Sequence, residues 1–354
     1  MRILIFGGTG AIGKHLVSLL EGTAHEVIVT TRAEHPDRNN IKYVRGNAHD
    51  LDFISPLLSK GADVIVNFMV YNTQAFTEVV DTLLDSCGQY IHLSSARVYS
   101  DVDEVITEKT PRLLDICKDE EYLATDEYAL TKARQENILF ASKRNNYTII
   151  RPYITYSEKR LQLGVNEKET WLYRSLRGHS IVFSEDIASK HTTLTYGKDV
   201  ARGIMALFGR DEALGEAFHI TASESILWRD VLSLYCDVME RVLGKRPRVS
   251  MQEFSPNLVA GGKWQVKCDR WYNRKFDNTK INKFIDTGSF VSPRTGLEDC
   301  LSRFLANQQF KWIGWKKEAQ LDRYSRELYP PFMRRTEEHP EVFSFTHIAE
   351  RAVG

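Results

Sequence analysis

The chain has 354 residues, enough to bury a sizeable core as one large domain or one and a half. Lysine plus arginine and aspartate plus glutamate each total 47, so the net charge is zero and no electrostatic footprint points to nucleic acid or an anionic membrane as a partner. The five cysteines are scattered with no C-x-x-C pair, no apolar run is long enough to span a bilayer, and no leader precedes the first strand; the expectation is a cytoplasmic protein without metal or disulfides.

Residues 2–6 form a short apolar, β-branched run stopped by glycines, which predicts a buried strand. Residues 11–20 then carry Ile12, Leu16, Leu19 and Leu20 on one helical face. Between them stands Gly7-Gly8-Thr9-Gly10-Ala11-Ile12-Gly13. Such a loop lets a pyrophosphate approach the backbone at Gly8 and Gly10 and lets the helix pack on the strand at Gly13. The helix start offers unpaired N–H groups and a positive dipole end to the phosphates. The next strand, residues 26–31, ends in Thr31-Arg32, without the acid that binds a ribose 2′-hydroxyl in NAD-selective folds. Arg32 therefore favours NADP(H) over NAD(H). Asp50, after the strand at 41–44, either contacts the adenine amino group or caps the helix beginning near Leu51.

Strands are predicted at 64–68 and 90–93, the second running into Ser94-Ser95 at the strand end where open parallel sheets bind ligands. The charged stretch 101–121 is longer than a usual connection and reads equally as a flap or as a solvated insertion. Residues 126–143 predict a helix that sets Tyr128 and Lys132 one turn apart on one face. A free tyrosine, with a pKa near ~10, is a poor base at neutral pH; an ammonium one turn away favours the phenolate. A serine hydroxyl holds the substrate oxygen while the tyrosine moves its proton.

A further strand at 148–150 continues an alternation of strand and helix that predicts an α/β, Rossmann-type doubly wound parallel sheet. After Pro152 the rhythm loosens. Helices are expected at 167–177, 200–208 and 228–243, and returning strands at 192–196 and 218–221. The expected division is a nucleotide-binding domain at 1–152 with returning segments near 190–222, a smaller C-terminal substrate-binding lobe at 153–189 and 223–304, and an extension of unassigned role at 305–354. The extension is rich in aromatics, among them Phe310, Trp312, Trp315, Tyr324, Tyr329, Phe332, Phe343 and Phe345, for which packing is the expected role.

Glycine loop, serine and Tyr-x-x-x-Lys in this chain order resemble the short-chain dehydrogenase/reductase family, in the extended branch that acts on nucleotide sugars. Residues 93–99, Leu-Ser-Ser-Ala-Arg-Val-Tyr, look like that branch's Ser-Ser-x-x-Val-Tyr segment, with Ser95 in the catalytic serine position. Arg151-Pro152-Tyr153 with Tyr156 resembles its Arg-Pro-x-x-x-Tyr-Gly segment, and Asp199-Val200-Ala201, Phe218-His219-Ile220 and 276–280 resemble later landmarks. The resemblance implies Ser95, Tyr128 and Lys132 as catalytic residues, Tyr128 and Lys132 also beside the cofactor, Pro152 on the nicotinamide side, and a homodimer formed through a helix pair that includes 126–143. The 4,6-dehydratases of the family place Asp-Glu where this chain has Ala96-Arg97, so dehydration is disfavoured. Arg97, Tyr153 and Arg274 are candidate substrate contacts; Thr192 replaces an arginine that grips the nucleotide diphosphate in many members. The resemblance thus implies an epimerase or oxidoreductase of a nucleotide-sugar hydroxyl or ketone, with an NADPH-dependent ketoreductase as the alternative. A non-catalytic NADP(H)-binding regulator or RNA-binding protein is the alternative of another class; nucleic acid and membrane are not expected partners.

Overall fold

The computed structural model describes residues 1–259 and 262–327. The chain forms two compact units. Among the described residues, the first comprises Met1–Ser157, Thr193–Ser225 and Arg274–Pro293; the second comprises Glu158–Thr192, Ile226–Asn273 and 294–327.

The first unit is built on seven parallel strands: β1 (Arg2–Phe6), β2 (Glu26–Thr31), β3 (Ile41–Arg45), β4 (Ala62–Asn67), β5 (Cys87–Leu93), β6 (Tyr147–Pro152) and β7 (Glu216–Ile220), in the order β3-β2-β1-β4-β5-β6-β7. The order reverses between β1 and β4, the switch point at which doubly wound sheets bind nucleotides beyond their strand ends. Successive side chains of β1 serve opposite faces. Ile3 and Ile5 pack with Val27, Val29, Val64 and Val66 beneath helices α1 (Gly13–Leu20) and α5 (Gly197–Ala206). Leu4 and Phe6 pack with Ile28, Ile65 and Tyr90 beneath α2 (Leu51–Leu58), α3 (Thr73–Asp85) and α4 (Tyr128–Ala141). Both faces are dry, which is why these strands read as continuous apolar runs rather than alternating ones. Each large apolar side chain so buried contributes roughly 1.5–3 kcal/mol.

Local chemistry sets the helix starts. Asn72 accepts the Ala75 N–H at 2.7 Å to begin α3, and Glu127 accepts the Ala129 N–H at 2.8 Å to begin α4. The expected returning strand at 192–196 is replaced by two-residue pieces outside the main sheet: Thr195–Tyr196 pairs with Thr155–Tyr156, and His191–Thr192 with Ile226–Leu227. The stretch 101–121 is anchored rather than free along its length. Tyr99 bridges to Arg112 and Ile106 to Phe276, and one-turn helices occupy Leu113–Ile116 and Glu120–Leu123.

The segment Arg274–Pro293, expected in the second lobe, belongs to the first unit. Phe276 packs against Tyr99, Tyr153 and His219, Asn278 bonds to both the side chain and carbonyl of Thr221, and Ile281 and Phe290 join the core under α1 and α5. Apolar side chains and one amide decide that placement, and the Thr221–Asn278 separation of 57 residues hides it from the sequence.

The second unit centres on the helices Lys168–Leu176 and Trp228–Leu243, whose Trp171 and Tyr235 rings stack at 4.5 Å with planes 5° apart. Gly244 ends the longer helix at φ 71°, a left-handed cap that glycine adopts without strain. Part of the 305–327 stretch joins this unit: Phe310 and Trp315 edge onto Tyr173, and the helix Trp315–Ser325 offers Glu318 and Asp322 to Arg174 at 3.1 and 3.3 Å. His179, Asp322 and Glu327 bring three ligand-type atoms close together, and the Arg174 guanidinium supplies the cation there, 3.6 Å from Glu327. Tyr329, Phe332, Phe343 and Phe345 lie outside the described residues. No helix among the described residues is long and apolar enough to cross a membrane.

Candidate active site

The glycine loop follows β1 directly. Gly7 sits at φ 75°, a conformation natural to glycine, and its N–H donates to Thr30 Oγ1 at 3.2 Å. Gly8 and Gly13 are closed against each other: a Cβ on Gly13 would lie 2.7 Å from the Gly8 carbonyl carbon, and one on Gly8 would lie 2.7 Å from Val29. Gly10 differs, because a Cβ there would meet nothing within 4 Å. Thr9 and Gly10 are exposed while Ala11 and Ile12 are half-buried. Two glycines thus serve packing and one faces open space at the start of α1. That is the division of labour a pyrophosphate cradle requires.

Arg32 is exposed at the end of β2 and makes no hydrogen bond or ion pair among the described residues. Asp50 is the cap of α2, accepting the Asp52 N–H at 3.0 Å, which is the second of the two roles its position allowed.

At the end of β5 the adjacent serines divide. Ser94 is buried and donates to Glu136 Oε1 at 2.6 Å. Ser95 is also buried, and its Oγ accepts the Arg97 N–H at 3.2 Å as the chain turns through a short 3₁₀ segment, Ala96–Val98. Arg97 reaches to the start of α4. Its Nη2 donates to Glu127 Oε1 at 2.5 Å and its guanidinium carbon lies 5.4 Å from the centre of the Tyr128 ring. The structure therefore brings the serine segment and Tyr128 together through Arg97. Tyr128 is 39% exposed; Lys132, one turn on, is buried and donates to Gln135 Oε1 at 3.1 Å. Burial lowers the Lys132 pKa to about 8, against the opposing pull of the Glu136 carboxylate. His92, buried beside the same helix, is held well below its ordinary pKa by burial and then by the Lys132 charge, so it is neutral.

A buried ionic network stands behind the serines. Arg151 grips both oxygens of Glu136 at 2.8 Å, Arg112 adds a contact at 3.2 Å, and Arg151 also donates to the Tyr99 hydroxyl at 3.1 Å. Glu136 is the member that sequence reasoning missed. Its available signal is the spacing Lys132-x-x-x-Glu136, which repeats the Tyr128–Lys132 turn on a buried face.

The sequence profile of the NAD dependent epimerase/dehydratase family matches residues 3–221, from β1 through β7. The chain belongs to this family. That family lies in the extended branch of the short-chain dehydrogenases/reductases. Solved structures share the fold at low identity. An epimerase from Methanothermobacter thermautotrophicus superposes with a TM-score of 0.66 at 17% identity, covering 86% of this chain and 92% of that one. The UDP-glucuronic acid 4-epimerase of Bacillus cereus, solved with UDP-glucuronic acid and NAD, gives 0.62 at 18% identity over 86% of this chain and 100% of that one. Among curated proteins, the chloroplast stem-loop binding protein of 41 kDa b from Arabidopsis thaliana is 27% identical over 252 residues, 66% of this chain and 62% of the relative. The chain thus spans less than two thirds of that protein's length.

In this family member Pro152 ends β6 half-buried, and Tyr153 and Arg274 behind it are fully buried. Arg274 donates to the carbonyls of Ser100 and Tyr99 at 3.3 and 3.1 Å and lies over the Tyr153 ring at 5.9 Å.

Proposed function

We propose that the protein oxidises or reduces a carbinol or ketone carbon of a nucleotide sugar, as an epimerase or as a reductase, through Ser95, Tyr128 and Lys132. The observation that carries the proposal is the meeting of the Ser95–Arg97 segment with Tyr128 at the end of β5, on a sheet whose glycine loop leaves space at Gly10. Ser95 would hold the substrate oxygen. Tyr128 would take the hydroxyl proton onto its phenol oxygen in the oxidising direction and give it back in the reducing one. Lys132 would hold the ribose and favour the phenolate. When bound, the nicotinamide accepts or supplies the hydride at the same carbon. Gly7 to Gly13 would receive the pyrophosphate, with Pro152 on the nicotinamide side.

Arg32, exposed and without a partner among the described residues, supports NADP(H), whose 2′-phosphate it would meet. Arg97 at the dehydratase acid position supports epimerisation or reduction over 4,6-dehydration. Tyr153 and Arg274 are assigned to holding the segment through Ser100, not to gripping substrate, because both are fully buried. The homodimer rests on family resemblance and is read by light scattering.

The decisive experiment denatures the purified protein, identifies any released nicotinamide by mass spectrometry, and titrates emptied protein with NADPH and NADH. Retained oxidised cofactor supports an epimerase. An empty protein that prefers NADPH, with the preference falling about tenfold in Arg32→Ala, supports a reductase. Binding of neither cofactor overturns the proposal. Stem-loop RNA binding is the second function to weigh, on the single observation of the curated chloroplast relative. A stem-loop RNA retained at about 200 mM salt by protein that binds no nicotinamide would decide for it.

A further inference from the structure

Arg97 is held at its backbone and at one end of its guanidinium. Its own N–H is tied to Ser95 Oγ, its Nη2 to Glu127 Oε1, and its side chain is only 13% exposed against 15% for Glu127. Glu127 is fixed in turn. Its other oxygen accepts the Ala129 N–H that starts α4 and the Tyr122 hydroxyl at 3.2 Å. The guanidinium is thereby parked 5.4 Å from the Tyr128 ring centre. A planar, delocalised cation at that distance is attracted to the ring and favours phenolate over phenol, and partial burial limits solvent screening.

Two other charged residues of the same turn, Asp126 and Lys132, differ from it. Asp126 is taken up by Thr73 at 3.0 Å and Arg134 at 3.1 Å. Lys132 loses its proton progressively above about pH 8, whereas a guanidinium keeps its charge throughout.

We propose that Arg97 is a second, permanent cation of the acid/base site. It positions the Tyr128 ring and poises the phenol oxygen, with Glu127 as its counter-charge. The assignment deepens the reading of Tyr128 as the acid/base and rests on it; it gives Arg97 to the tyrosine instead of the substrate. The step involved is a proton equilibrium. The phenol O–H breaks, the proton passes to solvent or to the substrate oxygen, and the electron pair stays on the phenol oxygen.

The test titrates the full chain, labelled with carbon-13 at the tyrosine Cζ, by NMR, with Tyr128→Phe identifying the signal. Arg97→Gln is expected to raise the Tyr128 midpoint by about one pH unit, a tenfold change in the equilibrium. Glu127→Gln, which keeps an oxygen for the helix cap, is expected to lower it, and Arg97→Lys to retain part of the wild-type position. A purely structural role for Arg97 would not move the midpoint in opposite directions for the two partners. Midpoints that stay together within a few tenths of a unit in all three variants overturn the proposal. The remaining tyrosine signals report whether each variant is folded, and Arg97→Lys and Glu127→Gln carry the test if Arg97→Gln unfolds. Opposed shifts in a protein that binds no nicotinamide keep the coupling of Arg97 to Tyr128 and remove its catalytic use; unmoved midpoints with bound nicotinamide overturn the coupling and leave the enzymatic reading standing.

Discussion

Lys132 is a charged group in a place that suits a neutral one. Its folded pKa, about 8, lies below the ordinary lysine value near ~10.4, so the folded chain sheds this proton first. A group with that sign destabilises the fold most below about pH 8, where the ammonium must stay buried. The penalty fades as pH rises toward the ordinary value, because the unfolded chain then binds more protons than the folded one. Lys132→Met is therefore expected to be more stable than wild type at pH 7 by up to about 3 kcal/mol, less what the lost Gln135 bond contributed. Denaturant melts at a series of pH values should show the gap closing between about pH 8 and 10.4. A constant gap would mean that packing, not charge, sets the difference. A lysine retained at such a cost is consistent with a site tuned for proton transfer.

The glycine loop separates two demands within one element. Gly13→Ala must push its Cβ into the Gly8 backbone, where nothing yields cheaply; a loss of about 1–3 kcal/mol and of nucleotide binding is expected together. Gly10→Ala has room for its Cβ and should melt close to wild type while losing cofactor affinity. Melting curves beside a cofactor titration distinguish the two, and equal melting losses would sink the assignment of Gly10 to the ligand. This loop, and the Tyr128–Lys132 turn, were legible in the sequence because their spacing is local. The parallel strands were legible because burial on both faces writes an unbroken apolar run. Strand β7 was visible through Phe218-His219-Ile220, and extended chain was expected at 192–196, but its division into two short pairs outside the main sheet was not, since two-residue pairings leave no periodic trace. Glu136 was missed for a different reason. Its partners Arg112 and Arg151 lie 24 and 15 residues away, and only the topology brings them to one carboxylate.

At the scale of the molecule, each unit has its own fastening. In the second, Arg174 is fully buried among Glu318, Asp322 and Glu327, all contributed by the chain after residue 314. Arg174→Ala strands these carboxylates and is expected to cost about 3–5 kcal/mol, with the helix Trp315–Ser325 losing hydrogen-exchange protection first. Protection lost uniformly across the unit would refute that order. In the first unit the fastening is the segment Arg274–Pro293, which returns after the chain has left for the second unit and lays Ile281 and Phe290 into the core. That arrangement imposes an order on synthesis. All seven strands have been synthesised once Ile220 is added, yet the core beneath α1 and α5 lacks Ile281 and Phe290 until some 70 further residues have followed. The stretch matched by the family profile, 3–221, accordingly stops short of two side chains of its own core.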